Sequence, residues 1–245
     1  MKAKLAKQAK SATQEENLTT QQKVRREAIA WFWVILVLLL VNGTVGQARV
    51  IPSASMKNTL LIGDHLFMSR LGYDAGIPFT DIHKSLWRTP KRQQIVIFRP
   101  VVPGDTSDVI KRVIGLPGDT VDVHDGSVWI NGERLREDYA IGPTERGEPS
   151  LFRGNLVGQT NIFPFKVPPG CFFVMGDNRQ DSLDSRFVGC IPRDHIIGTP
   201  IMIYMSIDSS SEPWGSGAIF DRIAAYANAL VHPSEIRWRR LFHLF

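Results

Sequence analysis

The run Thr120-Val121-Asp122-Val123-His124, Asp125-Gly126, Ser127-Val128-Trp129-Ile130, Asn131-Gly132, Glu133-Arg134-Leu135 alternates apolar with polar residues and is broken twice by a two-residue turn signal. Asp-Gly and Asn-Gly both supply the positive φ that tight hairpin turns demand. The stretch therefore predicts an antiparallel meander with two hairpins. Segments on either side carry the same signature: residues 64–69, 94–98, 109–114 and 172–175 are short β-branched or aromatic runs bounded by Gly, Pro or Asp. The expected fold class is mainly β, an antiparallel sheet domain. Residues 71–92, 140–166 and 208–233 are expected as variable surface segments.

Ahead of the strands, residues 28–41 are all apolar, and Asn42-Gly43-Thr44-Val45-Gly46 extends the uncharged stretch to 19 residues. A helix of about 20 residues crosses the hydrocarbon core of a bilayer. A cleaved signal peptide fits less well, because the basic tail is long and only Val45-Gly46-Gln47-Ala48 offers a small-residue cleavage pattern. A buried core helix would not carry Trp31, Trp33 and a basic cluster at one end. One transmembrane helix over 28–47 is expected, following a basic cytoplasmic tail over 1–27 whose first 22 residues should be mobile. An extracytoplasmic β-rich domain over 48–245 completes the chain. The net charge of +5 resides mostly in that tail, where seven basic residues face three acidic ones. The other 218 residues total only +1, which argues against a nucleic-acid partner.

Three stretches could carry chemistry. Two serines stand in Ile51-Pro52-Ser53-Ala54-Ser55-Met56, and a serine hydroxyl is a poor nucleophile without a base beside it. In the strand at 109–114, Lys111 shares a face with Val109 and Val113, while Arg112 shares the other with Ile110 and Ile114. Burial between valines would lower the lysine pKa and suit it to act as a general base; the competing reading is a lysine snorkelling from an edge strand. The third stretch is Gly176-Asp177-Asn178-Arg179-Gln180-Asp181-Ser182-Leu183-Asp184-Ser185-Arg186, where Asp177, Asp184, Arg179 and Arg186 can cross-pair. Its three carboxylates raise metal binding, but the calcium-loop spacing and terminal glutamate are missing, so no metal is expected.

Cys171 and Cys190 bracket this stretch, and both a disulfide and two buried thiols remain open. Asp64-His65 near Ser55 raises a Ser-His-Asp triad, yet none of the six histidines accompanies a nucleophile motif. Near the end, residues 219–230 have apolar positions at helical spacing. They are expected to pack on the domain, with membrane-surface contact as the alternative.

Taken together and in this order, behind an apolar helix, the boxes Ile51–Met56, 110–119 (Ile-Lys-Arg-Val-Ile-Gly-Leu-Pro-Gly-Asp) and 176–186 resemble those of the type I signal peptidases, membrane-bound serine proteases that remove secretory signal peptides. The resemblance implies Ser55 as nucleophile and Lys111 as general base. It implies Ser53 and the Ser55 backbone N–H as oxyanion donors, and Ser182 as the residue orienting the Lys111 amine. Arg112, Asp177, Asp184 and Arg186 would be structural ion partners, and Ile51, Pro52 and Ile110 walls of shallow subsites for small residues one and three positions before the cut. Asn58 stands where many members have proline, which is expected to loosen the turn after Met56. The implied enzyme sits in the plasma (inner) membrane, acts on preprotein signal peptides at the bilayer, and needs no cofactor and no obligate protein partner. A specialised Ser/Lys processing peptidase and a non-catalytic membrane-anchored peptide-binding domain are the alternative readings.

Overall fold

The computed structural model describes residues 20–76, 80, 82–102, 104, 107–146, 163–208, 214 and 219–245. The chain divides into two units, residues 1–42 and 43–245. In the first, Thr20–Leu40 forms helix α1, in which no side chain is buried and nearly all the apolar ones are exposed. Together with the π-turn Val41–Val45 it gives 26 helical residues of mean hydropathy 2.3, long and apolar enough to cross a membrane. The helix starts earlier than the apolar run because Gln21, Gln22, Lys23, Arg25, Arg26 and Glu27 are good helix formers, so its polar first turns extend what the apolar stretch begins. Residues 1–19, most of the expected mobile tail, lie outside the described residues.

The second unit opens with β1 (Gly46–Val50), two residues inside the span expected for the membrane helix. Gly46 pairs with Ser69, and a Cβ there would stand 2.5 Å from the Met68 carbonyl oxygen, so only glycine lets the strand begin so close to its neighbour. The strands β2 (Asp64–Ser69), β5 (Ile95–Phe98), β6 (Val109–Gly115), β11 (Cys171–Met175), β12 (Ile191–Pro192) and β13 (Ile196–Ser206) complete a seven-stranded sheet in the order β1-β2-β13-β5-β6-β11-β12, antiparallel throughout. Every residue of β5 is buried, as expected for a continuous apolar strand with both faces covered. Ile95 and Ile97 join Ile51, Met56, Leu60 and Ile110 in one apolar cluster, while Val96 and Phe98 join Val113, Phe172 and Val174 in another.

The meander is present as β7 (Thr120–His124), β8 (Ser127–Ile130) and β9 (Glu133–Arg134), with β10 (Phe165–Lys166) added beside β7. Both turns use positive φ, at Asp125 and Gly126 and at Asn131 and Gly132. Residues 71–92 are more than a surface excursion. They carry the hairpin β3 (Asp74–Gly76) and β4 (His83–Ser85), and Tyr73 and Asp74 are buried, the latter because Arg70 and Arg99 both pair with it. In the segment 140–166, residues 147–162 lie outside the described residues, and Thr144 is buried. The short helix α2 (Ser185–Val188) lies between β11 and β12, and in the segment 208–233, residues 219–231 form helix α3 (Ile219–Val231); residues 209–213 and 215–218 lie outside the described residues.

One close approach controls how the third box meets the rest. β11 ends at Met175, and a Cβ on Gly176 would lie 2.3 Å from Ser182 Oγ and 2.5 Å from the Ser55 carbonyl oxygen. Glycine here allows two remote segments to touch. Gly176→Ala should therefore force both apart and lower stability by about 1–3 kcal/mol, the usual range for overpacking. Thermal unfolding of the detergent-solubilised protein checks this, and an unchanged midpoint would contradict it.

Candidate active site

Ser55 sits in the loop between β1 and β2, whose ends are closed by Ile51 N–H donating to the Asp64 carbonyl and Gly63 N–H to the Ile51 carbonyl, at 2.9 and 3.0 Å. Within it, Lys57 N–H donates to the Ala54 carbonyl and Leu60 N–H to the Met56 carbonyl. Met56 and Leu60 are fully buried, so they plug the loop into the core and leave Ser53 exposed beside a buried Ser55. Asn58 adopts φ 88° and donates its side-chain amide to the Tyr139 carbonyl at 3.2 Å. Proline cannot take that φ; asparagine here fixes the turn through a tertiary hydrogen bond rather than loosening it.

Strand β6 brings Lys111 to this loop. Its side chain is buried and Nζ lies 2.5 Å from Ser55 Oγ, while Ser53 Oγ stands 3.4 Å from the same oxygen. Burial lowers the Lys111 pKa from 10.5 to about 8, against the attraction of Asp184, which favours the ammonium, and with help from the repulsion of Arg186. A snorkelling lysine would keep its amine in water, and this one does not. Asp184 itself is fully buried; burial would raise its pKa, but the Arg186 guanidinium and donation from Gly176 N–H and Ser182 Oγ hold it down. Ser182 Oγ donates to Asp184 Oδ2 at 2.8 Å, and among the described residues it makes no hydrogen bond to Lys111, although both line one cavity. Its expected contact with the amine is thus replaced by one with the carboxylate that faces it.

The opposite face of β6 works as a clamp. Arg112 donates Nε to Asp177 Oδ1 at 2.8 Å and Nη2 to Oδ2 at 2.6 Å, and Nη1 to the Gln93 carbonyl at 2.8 Å. Thr59 Oγ1 donates to Asp177 Oδ2 at 2.5 Å, and the next residue, Asn178, donates its backbone N–H to the Ser55 carbonyl and its side-chain amide to the Ala54 carbonyl, at 3.0 and 3.2 Å. The third box therefore holds the serine loop from behind. Asp184 pairs with Arg186 inside the box at 2.8 Å, but Arg179 leaves it to pair with Glu137 and Thr144. Thr59, Asn178, Gly176 and Glu137 were not identified by sequence reasoning. The first three lie within or beside the motifs, whereas nothing local to Glu137 marks it. Cys171 and Cys190 are disulfide-bonded, with Cα atoms 5.7 Å apart, across the base of the box.

Ser55 and Lys111 open into a cavity of about 320 Å³ whose apolar wall includes Phe98, Val101, Val109, Val174, Leu183 and Ile191. Ile51, Pro52 and Ile110 line a neighbouring cavity of about 350 Å³ instead. The histidine alternative fails on geometry, since His65 is buried with Nδ1 at 2.9 Å from the Gly63 carbonyl and Nε2 at 2.8 Å from the Tyr226 hydroxyl. Burial lowers its pKa. Among the described residues no cluster of three or more His, Cys, Asp or Glu is placed to hold a metal ion. What the arrangement can do is activate a serine hydroxyl with a neutral amine.

Comparison with known proteins agrees with this chemistry. Residues 24–205 match the family model described as signal peptidase, peptidase S26. Signal peptidase I of Leptolyngbya laminosa is 35% identical over 184 residues, 73% of this chain and 78% of that protein. Signal peptidase I of Bacillus amyloliquefaciens is 32% identical over 78% of this chain and 94% of its own. Signal peptidase I of Buchnera aphidicola is 30% identical over 80% of each. With the family model spanning most of the chain and a serine and a buried lysine in contact, this chain belongs to the signal peptidase family, peptidase S26.

Proposed function

We propose that this chain is a membrane-anchored endopeptidase that removes N-terminal signal peptides from preproteins, with Ser55 as nucleophile and Lys111 as general base. Signal-peptide cleavage follows from the family; the residue roles rest on one observation, the 2.5 Å approach of a buried amine of pKa about 8 to a serine hydroxyl. Neutral Nζ takes the Ser55 proton as Oγ attacks the scissile carbonyl carbon. Negative charge then develops on the carbonyl oxygen, where the Ser53 hydroxyl and the Ser55 backbone N–H donate to it. The ammonium returns its proton to the leaving nitrogen, the C–N bond breaks, and an ester to Ser55 remains. Water attacks that ester while Lys111 accepts the water's proton, and the proton finally restores the serine. Ser182 donates to Asp184 and so keeps lone pairs for the ammonium stage, which makes it a positioning residue.

In an extended substrate, side chains one and three positions before the cut point the same way. Ile51, Pro52 and Ile110, which line the cavity of about 350 Å³, form the wall proposed to receive them. Arg112, Asp177, Asp184 and Arg186 hold this frame without touching substrate. The apolar helix anchors the enzyme in a plasma (inner) membrane, basic tail in the cytoplasm and catalytic unit outside. The Cys171–Cys190 bond supports that side, since disulfides persist in oxidising compartments. Confining enzyme and substrate to one surface raises their effective concentration. The near-neutral charge beyond the tail supports a reading without nucleic acid, and the chemistry needs neither a cofactor nor an obligate protein partner.

The test is cleavage of a preprotein carrying a small-x-small site by the solubilised full chain. Ser55→Ala should give no product, Lys111→Ala should lose about 10²–10⁴ in rate, and Ser53→Ala about 10²–10³. Wild-type protein that binds the preprotein and never cuts it would sink the reading in favour of a peptide-binding domain.

The pH dependence has a fixed sign. The base must be neutral, so kcat/KM should rise about tenfold per pH unit below the Lys111 pKa and level off above about 8. A folded variant lacking all six histidines should keep this profile; loss of activity in it would restore a histidine base.

A further inference from the structure

Two cavities meet at the serine loop, and the side chains before the cut use only one of them. Ile51, Pro52 and Ile110 line the cavity of about 350 Å³, whereas Ser53, Ser55 and Lys111 line the other, of about 320 Å³. Strand parity sets the two apart. Along β5 and β6, Ile97 and Ile110 turn to the first cavity, and their neighbours Phe98, Val109 and Lys111 turn to the second. The loop before β2 joins them, since Ile51 and Pro52 border the first and the next three residues, Ser53, Ala54 and Ser55, border the second. A chain laid along this loop with its carbonyl at Ser55 Oγ passes from one cavity to the other.

A bound preprotein is such a chain. With the side chains one and three positions before the cut in the first cavity, the next residue has its Cα about 3.8 Å further on, and its side chain points the opposite way. The second cavity lies on that side. Phe98, Val174 and Ile191 in its wall belong to one buried apolar cluster, and Ile51 and Ile110 belong to the other. Val101, Val109 and Leu183 complete an apolar lining. The charged groups present do not suit a charged guest. Asp184 is engaged by Arg186 and Ser182, and Asp181 is exposed at the rim. Lys111 becomes an ammonium as Ser55 attacks, so it would repel a cation, and an anion beside it would hold the proton that the amine must pass on.

We infer that the second cavity is the subsite for the residue immediately after the cut, the first of the mature chain, and that it selects an apolar side chain there. This rests on the proposed cleavage reaction and on the wall at Ile51, Pro52 and Ile110. Selection acts on formation of the ester to Ser55, because breaking the C–N bond releases that residue before water attacks.

Preproteins that differ only in that residue, as leucine, valine, alanine, aspartate or lysine, test it when cut by the solubilised full chain. The kcat/KM is expected to be about tenfold or more higher with leucine or valine than with aspartate or lysine. Val101→Glu changes a half-buried wall residue and should move lysine above leucine; if that variant fails to fold, Val102→Glu on the same wall carries the swap. Val101→Trp fills the cavity and should bring leucine and valine down to alanine or below. Equal values across the wild-type series, or an order led by lysine or aspartate, would overturn the inference and leave the cleavage reading standing. A glutamate variant that folds, cleaves and keeps the wild-type order would overturn it too. Cleavage of no member by wild type would remove the reading and the inference together.

Discussion

Removing one amine from water is the constraint on which the site depends. Taking the Lys111 pKa from 10.5 to about 8 amounts to roughly 3 kcal/mol of preference for the neutral form. The sign matters for stability as well as chemistry. Between about pH 8 and 10.5 the unfolded chain binds this proton more readily than the folded one, so the penalty is fully present below about pH 8 and fades as pH rises toward 10.5. Stability given up at Lys111 is what would let the proposed base act at physiological pH. The charges around it moderate this rather than cancel it: Asp184 favours the ammonium, but Arg186 engages that carboxylate and opposes the cation.

The strand that carries this lysine also supplies the restraint on its target. Because side chains alternate along β6, Lys111 faces Ser55 while Arg112, one residue on, grips Asp177 from the other side. Asp177 receives Thr59 from the serine loop, and Asn178 holds the Ala54 and Ser55 carbonyls, so the proposed base, the proposed nucleophile and the third box are joined through one carboxylate and its neighbour. A register slip of one residue would exchange the base for the clamp. The disulfide closes the far end of the box, where a loop of this size contributes about 3 kcal/mol by restricting the unfolded chain.

Much of this was legible because local rules carried it. Asp125-Gly126 and Asn131-Gly132 announced their turns, whereas the parity of Val109, Lys111 and Val113 left a buried and a snorkelling amine both open, and only the tertiary structure decides for burial. What was not legible depends on distance. Arg179 reaches Glu137, 42 positions away, and Thr59 reaches Asp177, 118 positions away, pairings that no local pattern encodes. The start of α1 at Thr20 was missed for another reason: apolar content marks what a membrane requires, whereas helix formation continues through Lys23, Arg25 and Arg26. Ile51, Pro52 and Ile110, expected as walls of the substrate subsites, line one cavity together. The cavity that opens on Ser55, however, is walled by Phe98, Val174 and Ile191, brought in by other strands.

The central claim is that Lys111 is neutral when Ser55 is attacked. Observing its ε-carbon by NMR in chain labelled with ¹³C-lysine, assigned by comparison with Lys111→Arg, measures that directly. The account predicts titration at about pH 8. Titration of Lys111 at the ordinary lysine value, near 10.5, would contradict it.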